Sequence, residues 1–322
     1  MAVHVELRDQ DFFPSRLVDM YEVPALTSDM TDFYLLGFPG FGVNCQSRLT
    51  NQYYSVVASE DDTEITITPP SGQAENYVLS RFDVYTDFSQ DDDVDFSGFR
   101  VNSSKPVTVS GGKICAFEET GGSYLTAHTP VERYEYVFPV PVMVSPAEAG
   151  YHIHVVAAED NTIVTAEPNT YNLDAGEFEL ITRDQFYGFS LLSCSKPCYV
   201  NMYTIGVDNR RGMFQTPVVP TSDFYPEAVF PTNFGGAYDY IFTIVVDDPA
   251  AAQDLLLNEE PLSTFWTSTQ GYTYADVEVP SGRNVVRSTQ GTTFAVYTYA
   301  HYLEEGGGYG FAVLPNECKY DK

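Results

Sequence analysis

Three acidic side chains at alternate positions, Asp91, Asp93 and Asp95, stand where the first three ligands of a calcium loop would be. Phe96 then replaces the glycine that such a loop needs at its sixth position, and Asn102 replaces the glutamate at its twelfth. An EF-hand is therefore excluded, and the expectation is a solvated loop, with a looser calcium site as the alternative. His152 and His154 are two apart on one strand face, the spacing of a metal-binding pair. No third ligand is identifiable, so a half-exposed strand face is expected there. Cys194 and Cys198 flank Ser195-Lys196-Pro197, which reads as the tight turn of a hairpin. Opposed residues beside such a turn have Cα atoms roughly 4.5–5.5 Å apart, within disulfide range. The alternatives are two reduced thiols, or separate pairings with Cys45, Cys115 or Cys318. Five cysteines leave at least one free or paired outside the chain. Asn102-Ser103-Ser104 is a glycosylation sequon, relevant only in a secreted chain.

Other chemistry is not supported. GxSxG, HExxH and GxxxxGK[ST] are all absent. With 45 acidic residues some carboxylate pair falls close by chance, so a glycan-active enzyme has only abundance in its favour. The net charge of −29 argues against nucleic acid, whose binding needs a basic surface. It suits solubility, or the collection of divalent cations. Arg210-Arg211 is an isolated basic pair in a Pro-rich linker, read as an ion pair with the acidic surface. No run of about 18 apolar residues exists, so no membrane span is expected. The start, MAVHVELRDQ, has no apolar signal-peptide core.

The elements that position these residues recur. VVASEDDTEITITP (Val56–Pro69) matches VVAAEDNTIVTAEP (Val155–Pro168), and FRVNSSKPVTV (Phe99–Val109) matches FSLLSCSKPCYV (Phe189–Val200). A looser third copy runs from FTIVVDD (Phe242–Asp248) to STQGTTFAVYTY (Ser288–Tyr299). A spacing of about ninety to a hundred residues suits a small β-sandwich. Twenty-four Tyr, 22 Phe and many Val and Thr favour strands, with 23 Gly and 20 Pro at turns. The fold class expected is all-β, with three related sandwich-like repeats. The divisions are an arm over 1–31, repeats over 32–130 and 131–208, and a linker with the third repeat over 209–322. Hairpins are expected across Asp61-Asp62, at each Ser-Lys-Pro, and in the last strands. Pro249 to Leu257 tempts a helix assignment, but the repeat register predicts a short helical turn, a strand over Leu255–Leu257 and a turn at Asn258-Glu259.

Four features together carry a family resemblance. They are DFYLLGFP (Asp32–Pro39), VVAAEDNT, the Ser-Lys-Pro strand starts, and the aromatic close VYTYAHYLEEGGGYGFAVLP. Their order over residues 31 to 315 resembles the N-terminal domain of the IgG-Fc-binding protein family. The resemblance implies an extracellular or cell-surface, non-enzymatic adhesion or structural module. Partners are expected among other copies of the chain, matrix or mucin-like proteins, or glycans. A calcium-dependent glycan-binding module is the alternative.

Overall fold

The computed structural model describes residues 3–9, 16–23, 26–38, 52–89, 95–117, 121–142, 150–183, 188–204, 214–232, 238–248, 250–302 and 308–313. The architecture is almost all strand. β1 (Val3–Asp9) and β2 (Arg16–Val23) form an antiparallel hairpin within the segment expected to be an arm.

A first set of strands follows: β3 (Asp32–Tyr34), β4 (Gln52–Ala58), β5 (Thr63–Thr68), β6 (Glu75–Leu79), β7 (Val84–Phe88), β8 (Arg100–Ser103), β9 (Val107–Phe117) and β10 (Gly121–Ala127). They form two sheets, ordered β3-β8-β5-β6 and β10-β9-β4-β7. Alternation sends Ile65, Ile67 and Val101 of one sheet, and Tyr54, Val56, Val107 and Val109 of the other, into one core. We call this set unit 1.

Unit 2 repeats the scheme with β11 (Glu135–Val140), β12 (Tyr151–Ala157), β13 (Thr162–Ala166), β14 (Asn169–Leu173), β15 (Phe178–Arg183), β16 (Ser190–Thr204) and β17 (Gln215–Pro217). The first half of β16 pairs with β11 and β13, and its second half with β12 and β17. All seven strands are linked through the continuous β16, and β17, from the segment read as a linker, pairs with its second half.

Unit 3 contains β18 (Glu227–Pro231), β19 (Tyr238–Val246), β20 (Leu255–Leu257), β21 (Glu260–Pro261), β22 (Thr267–Thr269), β23 (Tyr272–Glu278), β24 (Arg283–Ser288), β25 (Phe294–Tyr302) and β26 (Gly308–Val313). Its sheets are β18-β24-β20-β21 and β22-β23-β19-β25-β26. A 3-10 turn, Ala251–Asp254, precedes β20, and Asn258 and Glu259 have positive φ, matching the short helical turn, strand and turn expected there. β10 lies against β17, β17 against β26, and β2 against both β10 and β26.

Several expected hairpins are corrected. β4 pairs with β7 and β9, whereas β5 pairs with β6 and β8, so the Asp61-Asp62 turn carries the chain between sheets. Ser-Lys-Pro does the same in unit 1, between β8 and β9; in unit 2 it lies within β16, whose two halves pair with different strands. Cys194 sits opposite Val164 of β13, and Cys198 sits opposite Ala157 of β12, not opposite one another. β23 and β24 likewise belong to different sheets, while β25 and β26 do form a hairpin. The physical reason is that a Gly-, Pro- or Asp-rich break specifies a change of direction, not which neighbour the next strand pairs with.

The two corners touch. Lys196 donates to the Asp160 carbonyl at 2.6 Å, and Lys105 donates to that of Asp61. Ser195 Oγ accepts from Ile163 N–H at 2.8 Å, and Ser104 Oγ from Glu64 N–H at 2.9 Å. Thr63 and Thr162 donate back to the carbonyls of Glu60 and Glu159. Asp62 and Asn161 occupy the left-handed region, which Asp and Asn tolerate better than most residues. The recurrence of Glu-Asp-x-Thr together with Ser-Lys-Pro is therefore structural: each motif terminates the other's unpaired backbone groups.

Candidate interaction surface

Each unit has a sheet face turned away from its own core, and register identifies the equivalent positions. In unit 2 that face presents His152, His154 and Val156 from β12, with Tyr199, Asn201 and Tyr203 opposite them on β16. In unit 3 the same places hold Ile241, Thr243 and Val245, with Ala295, Tyr297 and Tyr299. In unit 1 they hold Tyr53, Ser55 and Val57, with Thr108, Ser110 and Gly112.

The preceding unit covers this face in units 2 and 3. The extended stretch Tyr34–Phe38 of unit 1 crosses unit 2. Gly37 O lies 3.0 Å from His154 Nδ1 and accepts from Tyr203 Oη at 3.0 Å. The Phe38 ring packs 5.6 Å from His152 and 5.1 Å from Tyr203. Tyr34, Leu36, Tyr134, Val156 and Tyr199 make an apolar cluster at the same junction. Gly98 and Gly176 meet here so closely that a Cβ on Gly98 would lie 2.8 Å from Gly176 O. On unit 3, Phe189 of unit 2 stacks on Tyr272 and Tyr274, Phe214 stacks on Tyr299, and Val219 N–H donates to Tyr297 Oη at 2.9 Å.

His152 and His154 therefore do not lie on a half-exposed face: they are 6% and 0% exposed. Burial holds His154 down to about 4, against an opposing pull from the Asp95 carboxylate. Among the described residues no three His, Cys, Asp or Glu side chains come together as metal ligands. Asp95 Oδ1 accepts from Ser97 N–H at 2.9 Å and from Ser97 Oγ at 2.7 Å; Asp91 and Asp93 lie outside the described residues. Arg210-Arg211, Cys45 and Cys318 also lie outside them, and Cys115 falls within β9. Cys194 and Cys198 are joined by a disulfide with Cα atoms 6.3 Å apart, wider than a cross-strand pair because both lie along β16 and each faces a different neighbouring strand. Asn102 is on β8, an inner strand of its sheet, and is half-buried.

Unit 1 is the exception. Its equivalent face is open: Val84 and Phe88 of β7 are 57% and 48% exposed, Thr86 between them is exposed, and Tyr53, Ser55, Val57, Thr108 and Ser110 are half-buried. Tyr53 and Phe88 pack with ring centroids 5.9 Å apart, and Ser55 Oγ lies 2.9 Å from Thr86 Oγ1. None of these eight side chains is charged, in a chain of net charge −29. The opposite outer face of the same unit carries Asp32, Glu64 and Arg100. Among the described residues β7 pairs only with β4, so one edge of the face also offers unpaired backbone groups. Sequence reasoning missed this surface. The available signal was the comparison of matched strands: Tyr199, Asn201 and Tyr203 are large, whereas Thr108, Ser110 and Gly112 are small.

A cleft of about 680 Å³ lies at the junction of units 1 and 2, lined by Tyr34, Pro69, Pro70, Arg100, Glu177 and Phe178 among others. Among the described residues Glu177 is the one carboxylate in its lining, and it accepts from Asp174 N–H at 2.8 Å. Arg100 is held by Asp32 through bonds of 2.9 and 2.6 Å. Among the described residues lining the cleft no second carboxylate converges on Glu177.

The family model described as IgGFc binding protein matches residues 25–300. No curated protein and no solved structure matches the chain. Among the described residues no helix is long and apolar enough to cross a membrane.

Proposed function

The chain belongs to the IgGFc binding protein family, and from that premise we propose that it is a non-enzymatic, extracellular adhesion or structural module. On this reading it binds protein components of a secreted matrix, mucus or surface filament through the open face of unit 1. The carrying observation is the uncharged stretch Tyr53, Ser55, Val57, Val84, Thr86 and Phe88. Charge depletion with aromatic residues at the centre of a patch characterises protein-binding surfaces. Flat faces of this kind, bordered by a free strand edge, also accept an added strand. The Cys194–Cys198 disulfide fits an oxidising compartment. On the same reading residues 1–31 form an arm carrying the β1–β2 hairpin, and the repeats occupy 32–130, 131–208 and 209–322, the linker at the start of the last lending β17 to the second.

The test is binding of the chain to immobilised matrix and mucin proteins, with and without calcium, using wild type and a V84D/F88D variant. The expected result is binding that the double variant loses and that F265D, altering the 98%-exposed Phe265 of unit 3, retains. Equal binding by V84D/F88D would move the function away from this face.

A further inference from the structure

We propose that Tyr77 and Tyr85 form a modification site, coupled by a one-electron oxidant of the peroxidase class into a dityrosine cross-link that staples the two sheets of unit 1. Among the described residues the strands that carry them are edges. β6 ends the sheet β3-β8-β5-β6, and β7 ends the sheet β10-β9-β4-β7. Both side chains pack inward against the unit 1 core and meet across the open side of the sandwich. Their ring centroids are 4.4 Å apart and their planes are tilted by 40°. That is close to the spacing and twist of two directly joined phenyl rings, so little movement separates the pair from the coupled product. The hydroxyls lie 3.4 Å apart, so the ring carbons beside them, where phenoxyl radicals join, are neighbours too. Tyr134 and Tyr199 also pack, at 5.5 Å, but both are buried, whereas Tyr77 and Tyr85 are half-buried and reach solvent.

The surroundings suit oxidation. A phenol gives up an electron readily as its proton leaves, and a positioned carboxylate can take that proton. Tyr77 Oη donates to the Glu75 carboxylate, and Tyr85 Oη donates to Tyr77 Oη. Each ring loses one electron and its hydroxyl proton, the Tyr77 proton passing to Glu75. The two radicals join through one carbon–carbon bond beside the hydroxyls. The hydrogens on the joined carbons then leave as protons, and both oxygens are reprotonated. In balance the pair gives up two electrons and two protons, which reduce one hydrogen peroxide to two waters. Unit 2 provides an internal comparison. Tyr171 stands opposite Val164 as Tyr77 stands opposite Ile65, but Glu179 stands opposite Val155 where Tyr85 stands opposite Val56. Unit 2 therefore keeps one tyrosine of the pair and has no partner for it at the matched place. In unit 1 the link ties β7 to β6. Tyr85 alternates with Val84 and Thr86 of the open face, so the link holds that edge strand in place without covering the face.

Treating the dilute, purified full chain with a haem peroxidase and hydrogen peroxide tests this, followed by proteolysis and mass spectrometry of linked peptides. The expected product is an intramolecular link between Tyr77 and Tyr85, lighter than the two free peptides together by two hydrogen atoms, with dityrosine fluorescence in the monomer. Y77F and Y85F each abolish this link while keeping both rings packed, so neither variant depends on an altered core. Y171F forms it at the wild-type yield. Dityrosine that maps to other tyrosines while Tyr77 and Tyr85 stay unlinked overturns the proposal. So does a chain that forms no dityrosine under conditions that couple free tyrosine, or a Tyr77 that links to another residue in Y85F as efficiently as to Tyr85 in the wild type.

Discussion

Lys196 donates through Nζ to the backbone carbonyl of Asp160 at 2.6 Å, and Lys105 makes the equivalent bond to Asp61. Each lysine lies in a Ser-Lys-Pro corner, and each carbonyl lies in the acidic turn that connects the other two strands crossing between the sheets. A bond from a charged donor to a backbone acceptor is worth roughly 1.5–3 kcal/mol when well shielded and less when exposed. Lys196 is more than a third exposed, so Lys196→Met is expected to cost about 1 kcal/mol. Denaturant unfolding of K105M, K196M and the double variant measures this. The two corners are in separate units and share no partner, so the effects should add.

The disulfide at the second corner closes a very short loop. Unit 1 has Ser103 and Val107 at the same places and turns the same corner without a bridge. C194S/C198V, which copies those residues, should therefore fold and lose well under the roughly 3 kcal/mol associated with a fifteen-residue loop. Thermal unfolding under non-reducing conditions reads the loss. A variant that fails to fold would show that the bond creates the corner rather than tightening it.

At the junction of units 1 and 2, Gly98 and Gly176 both have φ near +80° and leave no room for a side chain. A Cβ on Gly98 meets a backbone oxygen, which cannot swing away; a Cβ on Gly176 meets Tyr34 Cε1 at 2.7 Å. Gly98→Ala is expected to destabilise by about 2–4 kcal/mol, combining overpacking with a strained backbone. Gly271, which also has positive φ but open space around it, should cost less when replaced by Ala. Equal losses at Gly98 and Gly271 would mean that φ alone matters and that the junction is not close-packed.

His154 and His128 are fully buried, and burial holds both down to about 4. In the unfolded chain a histidine titrates near 6.5. The unfolded state therefore takes up protons first as pH falls. Stability from this source is complete above about 6.5 and is lost progressively down to about 4. Near His154 the Asp95 carboxylate moderates the loss, and the neighbouring His152 adds to it. A H154N variant should show a shallower fall in unfolding free energy across that window than the wild type. Parallel pH profiles would remove His154 as the cause.

Much of the fold was legible because its corners use residues with local requirements. Glu-Asp-x-Thr and Ser-Lys-Pro mark the same chain positions in two units, so repetition and strand class followed from them. Pairing was not legible, because a corner between sheets and a hairpin turn within one use the same breakers. The burial of His154 was hidden for a different reason: its cover, Gly37, is over a hundred residues away in another unit. The open face was hidden because Tyr53, Ser55 and Val57 alternate like any half-exposed strand. Only the knowledge that units 2 and 3 are covered at these places makes the exposure in unit 1 informative.

Amide hydrogen exchange along β7 tests the central role of the unit 1 face most directly. In the isolated monomer, alternate amides from Val84 to Phe88 point away from β4 and should exchange quickly, as expected for an unpaired edge. On binding a protein partner, those amides should become protected, while the amides of β21 at the far edge of unit 3 stay unchanged. Binding that leaves the β7 amides exchanging as fast as in the monomer would contradict the assignment of this face.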